Sequence, residues 1–243
     1  MLNFLTPNWP APKHIRAYTT LRTGGCSEGP YASFNLSGRE NDPAVPANRE
    51  LLKQQLGYTL DPIWISQVHG TQAVLAEENR QTSPEADAVY TRTTGLPALI
   101  LTADCLPVLI CNKEGSEVAA IHAGWKGLLA GVIEATIMKL QSSPDQLMAW
   151  LGPAIGPQYF EVGPEVRDAF VQKSAESAAA FAPYNSGRWL ADIYQLARQR
   201  LAQCRVARVY GGEYCTYADS EKFYSFRRDQ GVTGRMASLI WIH

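Results

Sequence analysis

Net charge, histidines and paired cysteines are all scarce in this 243-residue chain, and each shortage removes a class of function. Lysine and arginine number 22 against 23 aspartates and glutamates, so no long-range field draws the protein to nucleic acid or to an anionic membrane. No hydrophobic run approaches the roughly 20 residues a membrane helix needs. The most apolar stretch, 96–111, is interrupted by Asp104 and Pro107. The N-terminal residues have neither a basic start nor a sustained apolar segment, so no secretory signal is read and a cytoplasmic protein is expected. The cysteines, Cys26, Cys105, Cys111, Cys204 and Cys215, are odd in number and include no C-x-x-C pair, which argues for free thiols. No G-x-G-x-x-G fingerprint is present. The Gly152-Pro153-Ala154-Ile155-Gly156 segment lacks the lysine ending of a P-loop and reads as a rigid connection. With no linker or low-complexity tract in the chain, one domain over 1–243 is expected.

Short runs rich in valine, isoleucine and aromatics alternate with a few amphipathic stretches, which predicts an α/β fold with a mixed sheet in a layered sandwich. Strands are expected over 14–20, 63–66, 73–76, 86–90, 98–102, 106–111, 117–121, 147–151, 207–211 and 239–242. The clearest helix is 126–140, where Leu128, Leu129, Val132, Ile133, Ile137 and Leu140 recur on one face. Others are expected over 191–203, 48–56 and 164–173, the last opening on Gly163-Pro164, while 174–182 reads as helix or loop.

Of the four histidines, His243 is terminal and His14 lies in a Pro-rich entry segment, so imidazole chemistry falls to His69 and His122. Each stands at an expected strand end beside a glycine turn, and Cys105 stands in a tight Ala103-Asp104-Cys105 interruption of an apolar run. Taken singly, each also reads as a buried structural residue. Taken together, their long intervals exclude a zinc finger, whose ligands come in close pairs, and suit three ligands from separate strand ends. Two imidazoles and a thiolate with a fourth position open is the catalytic zinc pattern. A Cys105 nucleophile activated by His122 uses the same atoms. Asp104, a carboxylate among apolar strands, needs a partner. Anion-binding candidates are Arg22 with the Gly24-Gly25 turn, read otherwise as a hairpin turn with a solvated arginine, and the helix start near Lys126. Arg227-Arg228-Asp229 reads as a surface ion cluster.

Nine segments in order resemble the YfiH family, also called the laccase-domain or polyphenol-oxidase-like family and zinc-dependent purine nucleoside phosphorylases. They are Arg22-Thr-Gly-Gly-Cys-Ser27, Phe34-Asn35-Leu36, Asn48-Arg49, Gln67-Val-His-Gly70, Ala86-Asp87-Ala88, Thr102-Ala-Asp-Cys-Leu-Pro107, His122-Ala-Gly-Trp-Lys-Gly127, Gly152-Pro-Ala-Ile-Gly156 and Phe223-Tyr-Ser-Phe-Arg-Arg-Asp229. Lys126 stands where the family commonly has arginine, and Phe226 where it commonly has tyrosine.

The resemblance implies zinc on His69, Cys105 and His122, with copper as an adventitious substitute. It also implies phosphorolysis of adenosine, inosine, guanosine or methylthioadenosine to a base and ribose 1-phosphate, and deamination of adenosine to inosine. Purine nucleosides and phosphate are the partners expected, with no nucleic acid or membrane. Within that reading, Cys105, His122 and Asp104 are the catalytic candidates. Arg22, Lys126 and Arg227 are the candidates for the anion, and Asn35 for the sugar. Three alternatives are an amide or peptide hydrolase using Cys105 and His122, with cell-wall editing as its setting, a copper-dependent phenol oxidase side activity, and a non-catalytic nucleoside-binding protein. Four histidines are too few for a multicopper oxidase.

Overall fold

The computed structural model describes residues 2–77 and 83–243. Strands β1 (Phe4–Leu5) and β2 (Ile15–Thr20) precede helix α1 (Val45–Leu56). Strands β3 (Ala73–Leu75), β4 (Ala88–Thr91), β5 (Ala98–Thr102), β6 (Leu106–Asn112) and β7 (Val118–Ala123) follow, then helices α2 (Trp125–Ala130) and α3 (Val132–Ile137). The remainder adds β8 (Leu147–Leu151), β9 (Glu161–Val162), α4 (Pro164–Lys173), β10 (Phe181–Pro183) and β11 (Trp189–Ala191). Helix α5 (Ile193–Gln203), β12 (Arg208–Gly211) and β13 (Met236–Ile242) complete it.

A six-stranded sheet in the order β12-β8-β6-β7-β4-β3 faces a four-stranded sheet in the order β1-β2-β13-β5, and β10-β11-β9 form a small third sheet. The period-two alternation of strands sorts each side chain into one of two cores. Leu106, Val108 and Ile110 of β6 face Leu128, Ile133, Leu196 and Leu201 of the helices. Leu109 and Cys111 point the other way, onto Ile100 of β5 and Ile240 of β13. Strand β13 repeats the division, sending Leu239 and Trp241 outward to Leu52 of α1. The result is an α-β-β-α sandwich, the mixed α/β layering expected, and its two central sheets are apolar because both faces are covered. Each fully buried Leu, Ile or Val contributes about 1.5–3 kcal/mol. Among the described residues, no helix is long and apolar enough to cross a membrane.

Three local expectations are corrected. The 126–140 helix is two helices, α2 and α3, because Gly131 takes φ +108°, a left-handed conformation inside what the apolar periodicity reads as one stretch. The 63–66 segment forms no strand: Ser66 makes a single bridge to Glu85, while the following Gln67 side chain binds both the N–H and the C=O of Leu101. His122 lies within β7 rather than beyond it. The 174–182 stretch, left open as helix or loop, is a 3-10 helix (Ala175–Ala180) leading into β10.

Candidate metal centre

One end of the sandwich gathers the carboxyl ends of β5 and β7 and the starts of β4, β6 and β13. His122 sits opposite Pro107 in the β6–β7 register, on the same side of β7 as Val118 and Ala120, and is 3% exposed. Cys105 occupies the tight link between β5 and β6, following Asp104 at φ +86°. His69, at φ +61°, completes the group from the 63–70 segment. Their donor atoms all lie within 4.8 Å of one another, with Cys105 Sγ 3.8 Å from His69 Nε2. The two imidazoles meet edge to face at 4.8 Å between centroids. Tetrahedral ligands at zinc-like bond lengths are separated by about 3.3–3.6 Å, so this donor set fits one metal ion after a small contraction. Donor type, number and convergence therefore agree with a metal held by His69, Cys105 and His122.

The constellation is organised by Asp87, a residue without an assigned role in the sequence reading. Its Oδ1 accepts the His122 Nδ1–H at 2.8 Å and the His69 backbone N–H at 2.9 Å, and its Oδ2 accepts the backbone N–H of Gly70 at 2.6 Å and of Val68 at 3.3 Å. Because a carboxylate only accepts, Nδ1 of His122 carries the proton and Nε2 is left for a ligand. The same carboxylate holds the left-handed turn at His69. The signal in the sequence was an acid between two alanines at a buried strand start, where burial demands partners.

Glycine is required where the turn after β7 crosses the ligands. A Cβ at Gly124 would lie 2.8 Å from His69 Cδ2 and 2.9 Å from Cys105 Sγ.

Burial alone would raise the Cys105 pKa, but the charge and hydrogen bonding of His122 and His69 lower it to about 6. Burial alone would lower that of His122, but the Cys105 sulfur and the Asp87 hydrogen bond raise it to about 9. Asp87 is held below the usual carboxylate range: burial opposes this, and the His122 hydrogen bond and the Gly70 and His69 N–H groups prevail. A metal at this centre would require Cys105 as thiolate and the His122 ring free of a proton on Nε2.

These ligands line a cavity of about 820 Å³ whose wall also carries Arg39, Arg49, Arg235, Lys126 and Arg227. Asp104 lines it too, but its carboxylate is spent on Thr216 Oγ1 (2.6 Å), Ser225 Oγ (3.0 Å) and the Arg227 N–H (2.7 Å), tying the ligand turn to the 225–227 loop. Arg227 rests its guanidinium on the carbonyls of Tyr159 and Glu161. Lys126 stands beside Trp125, its Nζ 5.7 Å from the ring centroid.

Two expected residues are placed away from the wall. Arg22 donates to Ala32 O and Ser220 O, and lies 4.9 Å over the Tyr224 ring. The loop is no hairpin, since Arg22 N–H binds Lys222 O, and no anion hollow, since the Gly25 N–H binds Ser33 Oγ. Asn35 is fully buried, its amide spent on Asp42, Ser37 and the Arg235 N–H. Neither lines the cavity. The sequence reading missed Arg39, Arg49 and Arg235, isolated arginines whose neighbours in the chain carry no motif of their own apart from Asn48-Arg49.

Residues 16–243 match the sequence profile of a family described as multi-copper polyphenol oxidoreductase laccase. The chain is similar to the purine nucleoside phosphorylase YfiH of Escherichia coli K12, at 48% identity over 100% of both chains. It is 50% identical, over 98% of both, to a purine nucleoside phosphorylase of Pseudomonas aeruginosa. Among solved structures, a Neisseria meningitidis protein superposes with a TM-score of 0.95 at 48% identity over 99% of both chains. YlmD of Geobacillus stearothermophilus does so with 0.91 at 28% identity, covering 99% of this chain and 96% of its own.

Proposed function

Since the chain belongs to the multi-copper polyphenol oxidoreductase laccase family, and its full-length relatives are named purine nucleoside phosphorylases, we propose that it is a zinc-dependent purine nucleoside phosphorylase. Adenosine, inosine, guanosine and methylthioadenosine are cleaved by phosphate to a base and ribose 1-phosphate, and adenosine is also deaminated to inosine. The observation that carries this reading is the convergence of His69, Cys105 and His122 at a cavity lined by cations. The "multi-copper" description suits the chain poorly, because only two of its four histidines meet.

His69, Cys105 and His122 would hold the zinc, which when bound would supply a Lewis acid. Asp87 fixes the His122 ring so that Nε2 faces that position. Phosphate is a dianion that has to be bound against its own hydration, and Lys126 and Arg227 are the proposed contacts. Asp104, with its oxygens already engaged, positions Arg227 rather than moving a proton. A cytoplasmic location accompanies this reading.

The test is incubation of metal-quantified protein with adenosine, with and without phosphate, and identification of products by mass. Adenine and ribose 1-phosphate formed only with phosphate are expected, and inosine and ammonia in either case. Recovery of intact adenosine in both arms overturns the reading.

The closeness of Cys105 to the His69 and His122 imidazoles supports one second reading, a Cys105 nucleophile acting on an amide. That reading predicts activity that survives a chelator and is lost to alkylation.

A further inference from the structure

The cavity contains an aromatic ring that no step above uses. Phe226 is 52% exposed although Phe223, Tyr224 and Ser225 before it are completely buried. The cause is Asp104, whose Oδ2 accepts both the Ser225 hydroxyl and the Arg227 N–H and so clamps the residues on either side of the phenyl group. The ring has close neighbours. A Cβ on Gly231 would lie 3.4 Å from its Cζ, the Gly231 N–H binds Phe226 O at 2.9 Å, and the Arg235 guanidinium stands 5.6 Å from its centroid. Because Asp104 immediately precedes the ligand Cys105, one side chain sets the place of the phenyl group relative to the metal ligands.

Other aromatic groups on the wall are less available. Trp64 is covered by the Arg49 guanidinium at 3.5 Å, Phe160 is buried, and Trp125 packs onto the helix-side core. Among the described residues, the other large apolar side chain that is both exposed and on this wall is Val68, next to the ligand His69. Exposed apolar side chains on two chain segments therefore share this wall with the candidate metal ligands, and arginines and a lysine stand among its other, partly apolar, residues. Such a cavity suits a ligand with a flat, apolar-faced ring and a separate anionic part.

We propose that Phe226 is the platform on which the heterocyclic base of the ligand stacks, with Val68 as a second apolar contact, so that Phe226 determines specificity for the base and not for the sugar phosphate. This rests on the nucleoside reading above.

The experiment measures calorimetric binding of adenine, and separately of inorganic phosphate, to zinc-loaded full-length protein and its Phe226→Ala, Phe226→Leu and Phe226→Trp variants. Stacking on an aromatic side chain predicts about 10-fold weaker adenine binding in Phe226→Ala. Phe226→Leu, which keeps apolar bulk without a π face, should weaken similarly, and Phe226→Trp should bind normally, with phosphate affinity and zinc content unchanged in all three. In turnover, KM for adenosine rises in Phe226→Ala while kcat holds. The platform is overturned if wild-type protein does not bind adenine, if Phe226→Ala and Phe226→Leu bind it as wild type does, or if adenine and phosphate binding fall together. Wild-type protein that binds adenine in a Phe226-dependent way yet leaves adenosine intact overturns the phosphorylase reading alone.

Discussion

Asp87 illustrates how much a single buried carboxylate can organise: one imidazole N–H and three backbone N–H groups depend on it, and two of these belong to candidate metal ligands. Replacing it with alanine leaves His122 free to rotate and the His69 turn unsupported. Asp87→Ala is expected to lower zinc affinity about 10–100-fold, and Asp87→Asn, with one acceptor oxygen remaining, by less. Competition against a chromophoric chelator measures both, and unchanged affinity in Asp87→Ala would refute the role. Gly124→Ala makes a steric point at the same scale, because its methyl group would press within 2.9 Å of Cys105 Sγ and 2.8 Å of His69 Cδ2. Zinc per protein should fall well below one equivalent while the far-ultraviolet circular dichroism stays native.

Residues 141 and 142, beyond α3, are held by another buried acid. Glu117, 2% exposed, accepts the N–H groups of Gln141 at 2.9 Å and Ser142 at 2.7 Å and pairs with Arg92 at 3.2 Å. Burial alone would raise its pKa, but the hydrogen bonds from Ser142 and Gln141 and the Arg92 charge hold it below the ordinary value. A depressed folded pKa means that the stabilisation is fully present above the unfolded value and is lost as pH falls through the folded one. Glu117→Gln should therefore cost about 1–3 kcal/mol at neutral pH and show a shallower loss of Tm below about pH 4 than wild type. Melting curves across pH 3–7 decide it, and parallel acid limbs would contradict it. Elements were legible where periodicity was strong and uninterrupted: the β6 run and the 164–173 helix stand where hydrophobic pattern and Gly163-Pro164 put them, and β7 was found with its end two residues further on. The break at Gly131 was not legible, because apolar positions on both sides stay in helical phase while the backbone turns through φ +108°.

At the scale of the whole molecule, the candidate metal ligands come from three separated chain segments, so an ion bound by all three would stabilise the native state by mass action. At zinc about 100 times its Kd the gain is about 2.7 kcal/mol, which for a domain of this size corresponds to a Tm rise of about 5–11 °C. Chelator should reverse that rise in wild-type protein and leave Cys105→Ala unaffected. A wild-type Tm indifferent to chelator would argue against a metal shared by the three segments. The cavity above the centre belongs to this scale as well, since its wall draws on residues from Ser37 to Arg235.

Residue chemistry alone narrowed imidazole chemistry to His69 and His122, because the other two of four histidines lie near the chain ends, and it made Cys105 a candidate beside them; the resemblance joined the three. Hydrophobic alternation likewise determined a layered α/β molecule, since period-two burial on both faces of a strand requires cover on both sides. Only the tertiary structure decided that Asp87 would join two of the ligands and that Arg22 and Asn35 would support the fold away from the cavity. It also decided that Phe226 would stand exposed beside the centre. Those outcomes depend on which distant segments meet at the end of the two sheets, and local pattern carries no information about contacts of that kind.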